Sequence, residues 1–351
     1  PRMKYEGAAK WVGRRGAGGD LMLRPGSGKP MWLEYTSAKQ PGFQGALSAV
    51  FFRGKIAAGG SVTVTRELAF EKIPVAEPAP PKNPGALLVV ATDERNRPIA
   101  AKIRLDRGGR KAPIFPPDGG LDGSDRFLWT GNGRASRSLE PGRYRLLVTA
   151  GIERDAVAKT VEIRPGSELR VDAQLPRVIE TPGWISADLH LHQAASVDAD
   201  IGMPERVVAI AAEGVEFAVA TDHYVVTDLG PTVRWLEQRG LLTSPVQTVA
   251  GSEVSTLGRR FGHFNVFPLK PGSNVRYRDV TPSELFADAR KASPGGVLQV
   301  NHPRLAPNLG YFTYHGVDDA TGEMRVAGYD PAFDTLEVYN GDDAWNPKAV
   351  K

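Results

Sequence analysis

The 351-residue chain contains no cysteine, which excludes disulfides, thiolate metal sites and a cysteine nucleophile within it. Any metal it holds must be bound by imidazole and carboxylate. Long hydrophobic runs are also missing: none approaches the ~18 residues of a membrane span. The opening Pro1-Arg2-Met3-Lys4 lacks the apolar stretch of a secretory signal. Pro1 and Lys351 read as cut ends, so an exported or periplasmic location stays open, and no feature sets an oligomeric state. No large excess of one charge is present either. A net charge of +4 is small for this length and calls for no nucleic-acid partner. The basic knot Asp106-Arg107-Gly108-Gly109-Arg110-Lys111 reads as a solvated turn.

What is present is the balance of an ordinary globular protein, with 41% hydrophobic and 24% charged residues. The length predicts two or three domains. Residues 1–75 alternate glycine-rich turns with short β-type runs, of which 46–52 and 61–65 are the clearest. Gly16-Ala17-Gly18-Gly19 and Gly26-Ser27-Gly28-Lys29 precede no helical pattern and read as turns, not phosphate loops. Residues 76–85 carry Pro78, Pro80, Pro81 and Pro84 and form a stiff linker. Residues 86–178 hold alternating runs, with a hairpin expected from 87–91 and 99–105, and have the pattern of a small β-sandwich.

From residue 183 the pattern changes to strand and helix in alternation. Pro204 opens a helix with Val207, Ile210 and Ala211 on one stripe and Gly214 at its end. Thr281-Pro282-Ser283-Glu284 is a capping box, and 335–339 reads as the last strand. Such alternation predicts a parallel sheet with its chemistry at the C-terminal strand ends.

Those strand ends carry histidine. In Asp188-Leu189-His190-Leu191-His192 the two histidines share one face of a strand, because side chains alternate. Thr221-Asp222-His223, Gly251-Ser252-Glu253, Gly262-His263 and Asn301-His302-Pro303 follow. Five of the six histidines thus fall at or near predicted strand ends, a clustering that core packing does not explain. The sixth, His315, sits in a polar stretch and is expected at the surface. Asp222, read by itself, suits a surface aspartate capping the loop that follows.

In their order these motifs, with Ser196-Val197-Asp198, Gly262-His263-Phe264-Asn265 and Glu337-Val338-Tyr339-Asn340, resemble the polymerase-and-histidinol-phosphatase (PHP) metallohydrolase superfamily. Within it they look most like the carbaryl-hydrolase branch, the CehA/McbA type, over residues 183–351. Residues 86–178 resemble, in architecture alone, the carboxypeptidase-regulatory-like module. The resemblance implies a multidomain chain, with N-terminal β domains ahead of a distorted (β/α)7 barrel holding two or three divalent ions of zinc, manganese or iron. His190, His192 and Glu253 would bind the first ion. Glu253 would bridge to a second, held by His263 and His302, while Asp198 and His223 would hold a third and Asp222 would orient ligands. Members also carry a closing Asp-x-His, which nothing after Asn340 supplies, so the coding sequence is expected to run past Lys351.

The function that follows is hydrolysis of a small-molecule phosphoester, or of a carboxylic ester, amide or carbamate, by metal-activated hydroxide. Glu253, Asp222 and Arg304 are the candidate catalytic groups. Arg304, with Arg259 and Arg260, adjoins ligand positions and is a candidate for bidentate contact with phosphate or carboxylate. Residues before about 180 are expected to carry no catalytic group. The rival function is a metal-retaining binding protein without turnover, whose β domains recognise a polymer or a surface.

Overall fold

The computed structural model describes strand backbone within the first 70 residues, and then residues 81–108, 123–124, 127–199, 201–305, 309–338 and 340. The chain divides between Glu77 and Pro78 into two units. In the first, β1 (Met3–Ala9), β4 (Met31–Ser37) and β5 (Ala46–Val50) form one antiparallel sheet. β2 (Val12–Arg14), β3 (Leu21–Pro25) and β6 (Arg66–Phe70) form another. The expected run 61–65 and both glycine-rich turns lie outside the described residues.

The second unit begins with two sheets over one core. β7 (Gly85–Thr92) lies between β11 (Arg134–Leu139) and β14 (Glu168–Gln174), antiparallel to the first and parallel to the second. The facing sheet runs in the order β13 (Val157–Ile163), β12 (Gly142–Thr149), β8 (Ala101–Asp106), β10 (Phe127–Thr130), β9 (Gly123–Ser124). Alternation builds the interior: Leu87, Val89 and Ala91 from β7 meet Ile103 and Leu105 from β8, with Leu128, Leu146 and Val148.

The hairpin expected from 87–91 and 99–105 does not form, since β7 and β8 belong to different sheets. The turn between them explains this. The Asp93 carboxylate accepts the backbone N–H groups of Arg95 (2.9 Å) and Arg97 (2.8 Å). Pro98 follows and cannot donate to a ladder, so pairing stops at a single bridge from Thr92 to Pro98 and the chain crosses to the other sheet.

Beyond residue 183 come β15 (Ala187–Leu191), α1 (Met203–Ala212), β16 (Phe217–Ala220), α2 (Gly230–Gln238), β17 (Gln247–Ala250), β18 (Ser252–Ser255), β19 (His263–Phe267), α3 (Pro282–Ala292), β20 (Val297–Val300), α4 (Tyr311–His315) and β21 (Thr335–Leu336). Local chemistry sets the helix ends. Gly214 adopts φ +73° just past α1, a conformation that favours glycine. At α3 the Thr281 side chain accepts from Glu284 N while the Glu284 side chain accepts from Thr281 N at 2.7 Å, the reciprocal capping box.

The sheets depart from the expected all-parallel arrangement. β15-β16-β17 is parallel, but in β18-β19-β20-β21 only the pairing of β20 with β21 is parallel. The reason lies in the connection from β18 to β19, which contains no helix. A parallel partner needs a crossover of a dozen or more residues, and an antiparallel one does not. The last strand is also shorter than expected, ending at Leu336.

This region and the sandwich share a surface. Ala100 is buried in the core built on α1 and α2, and Trp129 packs against that core. Asn132 Nδ2 donates to the Gly240 carbonyl (3.0 Å), Thr243 N to the Gly131 carbonyl (2.9 Å), and Lys102 pairs with Glu213 at the end of α1.

Candidate metal centre

Strand alternation aims the first two ligands. On β15 Leu191 turns inward and is buried while His190 faces the other way, and His192 follows just past the strand end, the two rings 5.1 Å apart. Their backbone is anchored on each side: His190 N donates to Asp188 Oδ1 (3.0 Å), and Gln193 N donates to Asp222 Oδ1 (2.9 Å). β16 delivers Asp222 and His223 to the same end.

Glu253 is carried there by β18, and Gly251 makes the approach possible. A Cβ at residue 251 would sit 3.0 Å from the Val266 carbonyl oxygen and 3.1 Å from that of Ala220. The antiparallel turn then brings His263, the first residue of β19, opposite Ser255. His302 follows β20 with φ +26°, a strained backbone for a non-glycine residue.

All five imidazoles converge on one buried carboxylate. Glu253 Oε2 lies 3.2 Å from His190 Nε2, 3.1 Å from His192 Nε2 and 3.4 Å from His223 Nδ1. Glu253 Oε1 lies 3.0 Å from His263 Nδ1 and 3.4 Å from His302 Nε2, and it accepts from Asn301 Nδ2 at 3.0 Å. Asp198 Oδ2 lies 3.2 Å from His223 Nε2, and Ser196 Oγ donates to Asp198 Oδ1 at 2.6 Å. Three donor sets have all their ligand atoms within 4.8 Å of one another: His190, Glu253, His302; His192, Asp198, His223; and His223, Glu253, His263. The seven residues named as ligands from the sequence are thus brought together, and the donor sets place His302 with His190 and His192 with Asp198 and His223.

This donor set fits divalent cations. Six nitrogen atoms, five of them from imidazole rings, crowd a carboxylate that offers about four lone-pair directions, so not every ring nitrogen finds an acceptor in Glu253. The ring lone pairs suit a cation shared with Glu253. His302 Nδ1 is buried without a hydrogen-bond partner among the described residues.

The charges respond strongly to one another. Burial by itself would lower the basicity of His190, but the Glu253 and Glu337 carboxylates on its two sides push it up to about 10. Burial likewise works against the charge of Glu253, and the surrounding imidazoles, His190 foremost, hold its carboxyl well below the usual range. His223 is burdened by burial and raised overall by Asp198 and Glu253. His263 is lowered because burial outweighs its contact with Glu253.

The remaining candidates are placed differently. Asp222 is fully buried beneath the ligands, where it accepts from the Gln193 backbone, the Gln193 side chain and Thr227. It is not a surface cap; it holds the segment after His192. Arg304 pairs with Asp319 (2.5 Å) and lies over the Phe312 ring, 5.4 Å from its centroid. Its guanidinium is engaged away from the ligands, whereas Arg259 and Arg260 are exposed in the loop between Glu253 and His263. His315, expected at the surface, is buried at 1% exposure among Tyr311, Tyr314 and Tyr329, with Nδ1 3.0 Å from the Val326 carbonyl oxygen. The aromatic character of Tyr311-Phe312-Thr313-Tyr314 was the available signal, since it makes the segment a core helix. Residues that sequence reasoning did not single out as site groups include Ser255, whose Oγ is 2.8 Å from His223 Nδ1, and Asn301, which also reaches Asn265 Oδ1 at 2.8 Å. Their proximity to the ligand motifs was the only trace of a role.

No family profile matches the chain, and no curated protein matches it. Among solved structures it is similar to GBS52, the minor pilin of Streptococcus agalactiae, at 17% identity over 44% of this chain and 67% of that one, with a TM-score of 0.24. BcpA, the major pilin subunit of Bacillus cereus, matches at 10% identity over 49% of this chain and 41% of its own, with a TM-score of 0.21. The Streptococcal ancillary pilin matches at 12% over 45% and 50%, with a TM-score of 0.22. Likenesses this slight carry no inference about role.

Proposed function

We propose that the region from residue 183 onward is a metallohydrolase domain of the PHP superfamily, CehA/McbA type, which uses two or three divalent ions to hydrolyse a small phosphoester or a carboxylic ester, amide or carbamate. One observation carries this reading: five imidazoles from two separate sheets converge on the two oxygens of Glu253. The distorted (β/α)7 barrel belongs to the same proposal, supported by that shared centre.

Divalent ions bound there would polarise the bond to be broken and lower the pKa of water enough for attack near neutral pH. The protein's own groups divide the remaining work. Glu253 would be shared between two ions, one held with His190 and His302 and the other with His223 and His263. His192 and Asp198, with His223, would hold a third. Asp222 keeps the His190–His192 segment in place through Gln193. Arg259 and Arg260 stand exposed at the edge, suited to an anionic oxygen of the substrate.

The test is elemental analysis of protein purified without chelator, joined to turnover on phosphomonoesters, phosphodiesters, aryl esters and carbamates. About two or more divalent ions per chain and turnover in one class are expected. Less than about one ion per chain overturns the metal assignment. Bound metal with no turnover across the panel overturns the hydrolase and leaves a metal-retaining binding protein.

A further inference from the structure

Glu337 opens the motif Glu337-Val338-Tyr339-Asn340, to which the sequence assigns no role, and it touches two ligands from two different sheets. Its backbone is fixed alongside β20, where Glu337 N donates to the Val300 carbonyl at 2.9 Å. From there Oε1 lies 3.0 Å from His190 Nδ1, on the ring edge opposite the one that faces Glu253. The other oxygen, Oε2, accepts the His302 backbone N–H at 2.7 Å. His190 belongs to the parallel sheet β15-β16-β17, and His302 follows a strand of the mixed sheet. The carboxylate is 12% exposed and is steadied by Asn340 Nδ2 at 3.2 Å.

These contacts have a defined chemical effect. A carboxylate can only accept, so Glu337 holds a proton on His190 Nδ1; Glu253 faces Nε2, and Nε2 is the nitrogen whose proton a cation would displace. A ligating imidazole is normally oriented in this way through its second nitrogen. The bond to His302 N meanwhile supports the backbone that carries φ +26°. Among the three donor sets, Glu337 touches two members of one, His190 and His302.

We propose that Glu337 is a positioning residue that selects the His190 tautomer and locks His190 to His302, so that it governs one metal position and not the others. This rests on the metal-centre reading above, and the test separates the two. The first measurement needs no metal: the imidazole proton and nitrogen resonances of His190 in chelator-treated protein. A slowly exchanging Nδ1–H is expected in the natural chain, lost in Glu337→Ala and kept in Leu336→Ala, which alters the same exposed edge without touching a ligand. The second is zinc titration of the same three proteins and Glu337→Gln. Glu337→Ala is expected to weaken one ion about 10- to 100-fold and spare the rest. Glu337→Gln, with one acceptor oxygen for two donors, should fall between. Absence of the Nδ1–H signal, its survival in Glu337→Ala, equal weakening of every ion, or the same loss in Leu336→Ala each overturns the proposal. A normal Nδ1–H pattern in a protein that takes up no zinc overturns the metal reading and leaves the orientation of His190 by Glu337 standing.

Discussion

The sandwich and the region that follows it differ in what they bury. Inside the sandwich the interior is Leu87, Val89, Ile103, Leu128 and their neighbours, and the buried polar side chains described there are Asp93 and Thr130. After residue 190 the interior also takes in Gln193, Asp222, Glu253, Asn265, Asn301 and His302. Withdrawing an ion from water costs several kcal/mol even after relaxation, and the first region avoids nearly all of that cost. The second accepts it at one place, where every buried charge touches an imidazole, an amide or a hydroxyl. Apolar burial explains the sandwich interior; the cluster at Glu253 carries a desolvation cost that apolar burial does not offset.

Glu253→Gln should break the contrast most severely. Removing the charge leaves imidazoles crowded around a neutral amide, and loss of a buried partner costs about 3–5 kcal/mol. Metal uptake should fall at both sets that use Glu253, and turnover should drop to background. Denaturant unfolding with and without chelator measures both effects, and a variant with unchanged stability and metal content would count against the centre.

Ile103→Ala probes the other side. It opens a cavity among Leu87, Leu105 and Leu146 and should cost about 2–5 kcal/mol. Zinc affinity should be unaltered, because the sandwich interior holds no ligand. A matching loss of zinc would show the two regions to be energetically inseparable.

Acidity sharpens the difference further. His190 is raised from 6.5 to about 10 in the folded metal-free protein, so its contribution to stability is complete below about pH 6.5 and is lost as pH rises through about 10. Glu253 is lowered well below 4.5, so its contribution is present above about pH 4.5 and is lost as pH falls. The metal-free region should therefore be most stable between these limits and weaken toward pH 10. Metal must displace the extra proton of His190, so its affinity should increase over the same rise in pH. Unfolding and zinc binding measured from pH 5 to 10 would show both trends, and flat profiles would remove the charge coupling from the account.

The smallest effect is expected at Thr281→Ala. Losing the cap of α3 should cost about 1 kcal/mol and leave metal binding untouched, a difference visible by thermal unfolding.

Much of this was legible in the chain itself. The alternation in His190-Leu191-His192, the proline in the first turn of α1, the capping box of α3 and the β-type runs of the sandwich are local patterns, governed by residues a few positions apart. Such signals survive in one dimension because backbone geometry repeats at fixed short periods. Five clustered histidines and Glu253 were also visible as a set.

The partners of those patterns were not. The separation of β7 from β8 into two sheets depends on which strands compete for β7, and β11 and β14 win. His315 stands in a polar stretch of the chain but is enclosed by Tyr329, which comes from a later loop. Glu337 stands 147 residues from His190, and no short-range periodicity links the two. Sequence determined which donors the protein has and which strand ends carry them, because those follow from local backbone periods. Tertiary structure decided that Glu253 receives all five imidazoles, that Arg304 is engaged elsewhere and that Glu337 reaches both sheets, because hydrogen bonds act over about 3 Å and only the folded chain brings distant residues that close.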